Sequence, residues 1–232
     1  NPPKATGKPT PKPKAPEPAK PQQVTPIAPS DGTQYAPVVQ RPEVILGRQI
    51  AGPSGSNTHP LSGMWEGTDG VKRYVKAYSE PEQAFSEMLS NQLYEALGLR
   101  APKTGLSHYT YPDGSQRWLV VTEIVDNKGT VGKVGLSKKI AEEIADGTAA
   151  DIWMGNFDSV GMGLDNIVVT GRGLVRIDSG GSMFFRAQGA RKTDAMLSSV
   201  DMDTLFKING DYRRVLQAAG FKDAAAFYAS PK

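Results

Sequence analysis

Three short polar clusters carry oxygens suited to chemistry: Asp158, the pair Asp165-Asn166, and Asp178. They fall within one stretch, residues 150–186, which reads ADIWMGNFDSVGMGLDNIVVTGRGLVRIDSGGSMFFR. Asn166-Ile-Val-Val and Leu174-Val-Arg-Ile are β-branched runs joined by Gly171-Arg172-Gly173, a spacing that predicts a tight hairpin. A hairpin returns its exit to its entry, so Asn166 and Asp178 should finish on the same side. Carboxylate and carboxamide oxygens, with a further carboxylate nearby, suit a hard cation such as Mg2+ whose remaining positions are filled by phosphate oxygens. The chemistry this points to is phosphoryl transfer.

Asp158, an asparagine eight residues on, a strand-turn-strand and Ile177-Asp178-Ser179-Gly180 together resemble a known catalytic segment. It is that of the phosphatidylinositol 3-/4-kinase-like and HipA-like branch of the protein-kinase-like fold, written roughly G-x-x-D-R-H-x-x-N, hairpin, I-D-x-G. The resemblance implies that Asp158 orients or deprotonates an acceptor hydroxyl and that Asn166 and Asp178 hold Mg2+. The family places its asparagine five residues after the aspartate; here the gap is eight, and the histidine position is Val160. Ser159 to Leu164 therefore reads as an insertion, and either Asp158 or Asp165 fills the catalytic position.

Upstream elements must bring phosphates to this segment. Lys72-Arg-Tyr-Val-Lys-Ala-Tyr78 predicts a strand with Tyr74, Lys76 and Tyr78 on one face and Arg73, Val75 and Ala77 on the other. Lys76 resembles the kinase lysine that grips the α- and β-phosphates; alone it would read as an edge-strand charge. Ser79-Glu80-Pro81-Glu82 resembles a capping box, and Phe85, Met88, Leu89, Leu93 and Leu97 recur at helical spacing until Gly98. In kinase-like folds that helix supplies a glutamate to the lysine, and Glu87 takes the role. Before the lysine strand, Glu43 to Ala51 reads as a strand and Gly63 to Gly67 as another. The loop between them is expected to turn the backbone N–H groups of Gly52, Ser54, Gly55 and Ser56 toward phosphates. Thr104 to Tyr111 and Gln116 to Val125 read as strands about a Pro112-Asp113-Gly114 turn. By the resemblance the end of the second, Glu123 to Val125, is a hinge whose backbone binds adenine. His108 has no partner in sequence reach and reads as a surface or packing residue.

Ser137 to Ala145 predicts a short amphipathic helix with Ile140 and Ile144 inward, and a second helical stretch follows through Met154. Past Asp178, Arg186, Arg191 and Lys192 either contact substrate or are solvated charges. The remaining chain reads as helices over 202–208, 212–219 and 224–228.

The whole chain bounds these readings. It has 232 residues, a formal charge of +3 and no cysteine, which excludes a disulfide framework, a thiol nucleophile and zinc-thiolate sites. No apolar run is long enough to span a membrane and no apolar leader is visible, although a chain beginning at Asn is expected to be processed. Residues 1–42, rich in Pro, Lys, Ala, Gln and Thr, cannot bury enough surface to order and read as a tether to another domain or partner. The expectation is an α+β, two-lobed protein-kinase-like fold, with a β-rich N-lobe over 43–126 and a helical C-lobe over 127–232. ATP and Mg2+ are its expected cofactors and a protein Ser/Thr hydroxyl its expected acceptor. Nucleic acid is not an expected partner of the folded part. The expected location is cytoplasmic, or that of a delivered effector or virion component. Two alternatives stay open, a nucleotide-binding module without turnover and a structural subunit anchored by its basic arm. AMP transfer is a third chemistry the residues permit.

Overall fold

Alternation decides the central strand. Along β3 (Lys72–Tyr78), Val75 and Ala77 are buried while Lys72 is exposed, and the intervening Lys76 and Tyr78 face the other way. β3 is the middle of a five-stranded antiparallel sheet with β1 (Arg48–Ala51), β2 (Gly63–Glu66), β4 (Thr104–Thr110) and β5 (Gln116–Glu123), in the order β1-β2-β3-β5-β4. The register pairs Lys76 with Val120 and Val75 with Val121, so Val75, Ala77, Leu119 and Val121 form one apolar layer with Ile45. The other face is covered by α2 (Pro81–Ala96), whose Ala84 and Met88 pack on Leu106 and Val120. Burying each such aliphatic side chain contributes on the order of 1.5–3 kcal/mol.

The computed structural model describes residues 42–53, 58–198, 207 and 209–230. Ser54, Gly55 and Ser56, the arm before Pro42 and most of the helix expected over 202–208 lie outside them.

The second half is helical around one hairpin. α3 (Val131–Val134), α4 (Lys138–Asp146) and α5 (Thr148–Trp153) precede β6 (Ile167–Thr170) and β7 (Gly173–Arg176). α6 (Asp194–Ser198), α7 (Gly210–Ala218) and α8 (Ala224–Tyr228) follow. The side chains of Ser137, Asn209 and Asp223 cap α4, α7 and α8 by accepting from N–H groups three residues on, at 3.3, 2.8 and 2.8 Å. Ile144, Val160, Leu164, Ile167, Val215 and Leu216 build a second core, fully or almost fully withdrawn from water. The fold is thus mixed α/β, with an antiparallel sheet and several helices. No described helix is long and apolar enough to cross a membrane.

Two expectations change. Residues 42–45 are a short helix, α1 (Pro42–Ile45), and the strand starts only at Arg48. Pro42 pre-sets the first helical φ, its carbonyl accepts from Leu46 N at 2.9 Å, and Ile45 drops fully into the sheet core. On α2 the buried face is Ala84, Glu87, Met88, Asn91 and Tyr94, while Phe85 and Leu97 are about half exposed. No side chain caps this helix: Glu80 is its N-cap residue, and Pro81 begins it in place of the expected capping box.

Candidate active site

Lys76 projects from β3 toward α2, where Glu87 lies on the buried face. Its Nζ donates to Glu87 Oε1 at 2.7 Å and to Asp178 Oδ1 at 2.6 Å, joining strand, helix and the segment after β7 at one atom. The Tyr78 hydroxyl, two residues along the same strand face, donates to Glu87 Oε2. Both oxygens of this carboxylate, only 2% exposed, are therefore satisfied, as a buried charge requires. Burial disfavours the Lys76 ammonium, yet Glu87, Tyr78 and Asp178 outweigh it and hold its pKa well above the ordinary value. Burial, then Glu87, pushes Tyr78 well up, so it remains a donor. Asp178 feels the same contest; burial raises its pKa, Lys76 lowers it, and the net direction is down.

The segment past β7 fixes α2 from the far side. Ser179 Oγ lies 2.8 Å from Asn91 Oδ1 and 3.2 Å from the Glu87 carbonyl, while Asn91 Nδ2 donates to Thr104 Oγ1 at 2.7 Å. These polar contacts explain why α2 turns Glu87 and Asn91, not Phe85, inward.

The β6–β7 hairpin positions the metal candidates. Ile177 N donates to Asn166 O at 2.8 Å, closing the open end of the hairpin, and Asp178 is the next residue. Asp178 takes φ +58°, a conformation that costs a non-glycine residue on the order of 1 kcal/mol or more and persists only where surroundings impose it. Here the imposing partners are Lys76 and the Gly180 N–H. Asn166 Nδ2 donates to the Asp158 carbonyl at 2.8 Å, with Asp158 Oδ2 at 3.5 Å, so its Oδ1 is the atom left available to a ligand. Burial first, then the charges of Asp178 and Asp165, push the Asp158 pKa up to about 6.

The eight-residue gap becomes a tight, anchored loop. Gly161 N donates to Asp158 O at 2.9 Å, Gly163 N to Asp211 Oδ2 at 2.7 Å, and Val160 and Leu164 are buried. Gly161 sits at φ +72°, and a Cβ there would overlap Asp165 Oδ1 and Asn166. Met162 at the tip is 84% exposed.

These groups border a cleft of about 830 Å3, lined by Lys76, Glu87, Thr122 to Val125, Asp165, Asn166 and Asp178. Glu123 and Val125 therefore do face it. Gly52 does not: it is exposed, with nothing near its Cβ position, and on that hairpin the wall is made by Thr58, His59 and Met64. Asp158 stands behind Asn166 and is not part of the lining, whereas Asp165 is. His108 is exposed and rests on Trp118, ring centroids 5.9 Å apart.

The donor set fits a small hard cation. The charges of Asp178 and Asp165 act on Asp158, and Lys76 is the near cation of Asp178, so carboxylates outnumber cations beside the free oxygens of Asn166 and Asp178. Among the described residues no three His, Cys, Asp or Glu side chains form a complete metal cage. One or two protein oxygens completed by water and substrate phosphate is the ordinary coordination of Mg2+.

Four residues take part without a sequence signal for the part they take. Tyr78 lies on the Lys76 face, but strand alternation gives it no role, and Ser179 and Asn91 carry no motif. Lys192, the fourth, is neither solvated nor turned to substrate: it is 7% exposed, and its Nζ donates to the carbonyls of Gly155, Gly181 and Met183 at 2.7, 3.0 and 2.7 Å.

No protein family matches the chain, and no curated protein matches it. Among solved structures it is similar to the Helicobacter pylori proinflammatory kinase CtkA, at 18% identity and a TM-score of 0.45, over 76% of this chain and 67% of that one.

Proposed function

We propose that this chain is an ATP- and Mg2+-dependent phosphotransferase, and that its sheet with α2 and its helical half act as the small and large lobes of a kinase-like enzyme. The observation that carries the reading is the Lys76 ammonium, shared by Glu87 and Asp178 on the wall of a cleft that also holds Asn166. Such a cleft has the volume of a nucleotide site. Lys76, kept charged and aimed by Glu87, would grip the phosphates. The backbone of Glu123 to Val125 would meet the adenine edge.

Asn166 Oδ1 and Asp178 would hold Mg2+, which when bound offsets charge on the phosphates. Asp158 would align and deprotonate the acceptor hydroxyl, its raised pKa suiting a base at neutral pH. Asp165 lines the cleft and is exposed. Phosphoryl transfer asks the protein mainly for positioning and charge, which is what these residues supply. A protein Ser/Thr hydroxyl is the acceptor we favour.

The test is incubation with γ- or α-labelled ATP, Mg2+ and a Ser/Thr/Tyr peptide library, comparing the parent chain with Asp178→Ala. Transfer of γ label alone, lost in Asp178→Ala and in EDTA, is the expected result. Transfer of α label would replace the reading with AMP transfer. A second reading, a nucleotide-binding module without turnover, is favoured by the position of Asp158 behind Asn166; it predicts ATP binding with no label transferred.

A further inference from the structure

Lys192 is a buried cation that, among the described residues, has no carboxylate partner. Three backbone carbonyls surround its Nζ, and the Phe157 ring lies 5.7 Å away. An ammonium has three donors and here all three are used. Hiding such a charge is costly, and burial alone lowers its pKa to about 8. A methionine or leucine would fill the space without that penalty, so the charge calls for a reason beyond packing.

The three carbonyls belong to two turns that matter to the site. Gly155 begins the turn leading to Asp158. Gly181 and Met183 end the turn that follows Asp178, and Met183 takes φ +53° and donates its N–H to Met154 O at 2.6 Å. Lys192 itself closes a loop: its N–H donates to Phe184 O at 2.8 Å, Phe185 bridges to Arg191, and Arg186 N donates to Ala190 O at 2.7 Å. The far end of that loop, Ala187 to Gly189, lines the cleft and presses on Gly181. Arg191 reaches Glu80 and Glu82 at the start of α2, at 3.5 and 3.9 Å.

We infer that Lys192 is a positioning residue: its ammonium staples the Gly155 turn to the Gly181–Met183 turn, and so fixes Asp158 against Asp178 and holds the 184–192 loop as a wall of the cleft. In enzymes of this chemistry such a segment is often ordered by adding a phosphate that pairs with arginines. Here the ordering charge is a lysine of the chain itself and its partners are backbone oxygens. The site is therefore assembled without modification of the segment. The catalytic part of this inference rests on the phosphotransferase reading; the structural part does not.

Because the chain contains no cysteine, the staple can be removed and rebuilt chemically. Lys192→Met should lower kcat more than tenfold while changing the Kd for Mg2+-free ATP, which Lys76 grips, less than threefold. Lys192→Cys, alkylated in denaturant with bromoethylamine and refolded, regains an ammonium of nearly the original length and should recover most of kcat. Alkylation with iodoethanol supplies the same bulk without the charge and should not. Equal recovery with both reagents, or wild-type kcat in Lys192→Met, overturns the inference. If the parent chain transfers no label, the phosphotransferase reading fails by itself, and amide exchange judges the staple. At least tenfold faster exchange over 181–190 in Lys192→Met upholds it, and unchanged exchange overturns it.

Discussion

Two ion clusters lie on the same face of α2 and are built from similar parts. The forward one joins Lys76, Glu87 and Asp178 at the cleft. The rear one joins Arg176 and Asp151: Arg176 Nε and Nη2 lie 3.1 and 3.2 Å from the two Asp151 oxygens. Tyr94 and Tyr212 donate to the same carboxylate at 2.6 and 2.9 Å, and Asn156 donates to the Tyr94 oxygen at 3.0 Å. Glu87 and Tyr94, two turns apart on the helix, belong to one cluster each. The difference is completeness. In the rear cluster one cation meets one carboxylate, Asp151 is 0% exposed, and each of its oxygens has a tyrosine donor as well. In the forward cluster one ammonium serves two carboxylates, Asp158 and Asp165 add further negative charge, and the group opens on a cavity. A closed, neutral cluster holds a fold together. An open one with spare negative charge has the chemistry to take up a further cation.

Replacing members of each cluster should therefore break different things. Lys76→Met or Asp178→Ala is expected to lower phosphoryl transfer by a factor on the order of 10^3, the scale seen when a charge-stabilising group is removed from a preorganised site. Asp178→Ala should change the melting temperature little: the strain at φ +58° stays with any residue that has a Cβ, and the lost Lys76 contact is offset by removing a like charge near Asp158. Arg176→Met should do the opposite. It strands Asp151 without its cation and should cost about 3–5 kcal/mol in urea unfolding, as for other broken buried pairs. Turnover per folded molecule should stay within about twofold. A thousandfold loss of turnover in folded Arg176→Met would erase the distinction.

Tyr78→Phe gives a finer reading of the forward cluster. It leaves Glu87 Oε2 buried without a donor, which should cost about 1–3 kcal/mol of stability. Lys76 still holds Oε1, so ATP turnover should fall by less than about tenfold. Steady-state kinetics beside the Lys76→Met protein checks the order: a loss equal to that of Lys76→Met would make Tyr78 as necessary as the lysine.

The forward cluster was legible in the sequence and the rear one was not. Lys76 stood out because a lysine in a β-rich run is conspicuous, and Asn166 and Asp178 because glycines and β-branched residues around them announce a hairpin. Local pattern gave each residue its element, and the order of elements suggested the meeting, although Lys76 and Asp178 are 102 residues apart. Asp151 and Arg176 lie in segments whose pattern says only helix and strand; nothing local shows that both point inward. The phase of α2 was missed for a related reason. Hydropathy followed Phe85 and Leu97, whereas the buried face is set by Glu87 and Asn91, polar residues whose partners, Lys76 and Ser179, come from elsewhere in the chain. Of the glycine-rich turn that reads as a phosphate cradle, Gly52 borders open space instead of the cleft, while Ser54, Gly55 and Ser56 lie outside the described residues.

The smallest expected effect separates a paired buried cation from an unpaired one. Asp151 and the neighbouring tyrosine hydroxyls outweigh burial at Arg176 and raise its pKa, so its charge persists throughout the accessible pH range. Lys192 has no such partner among the described residues, and burial lowers it from 10.5 to about 8. Between those values the unfolded chain holds a proton at this position that the folded chain has released. Stability rises with pH wherever the unfolded state binds more protons, so the contribution of Lys192 is least favourable below about pH 8 and improves as pH climbs toward 10.5. Urea unfolding of the parent chain and Lys192→Met at half-unit steps from pH 7 to 10.5 isolates this one group, because every other titration cancels in the difference. The difference should be flat below about pH 7.5 and then shift in favour of the parent. A difference that stays flat to pH 10.5 would mean that Lys192 keeps its proton as firmly as Arg176, and that its three carbonyls hold a cation as well as a carboxylate does.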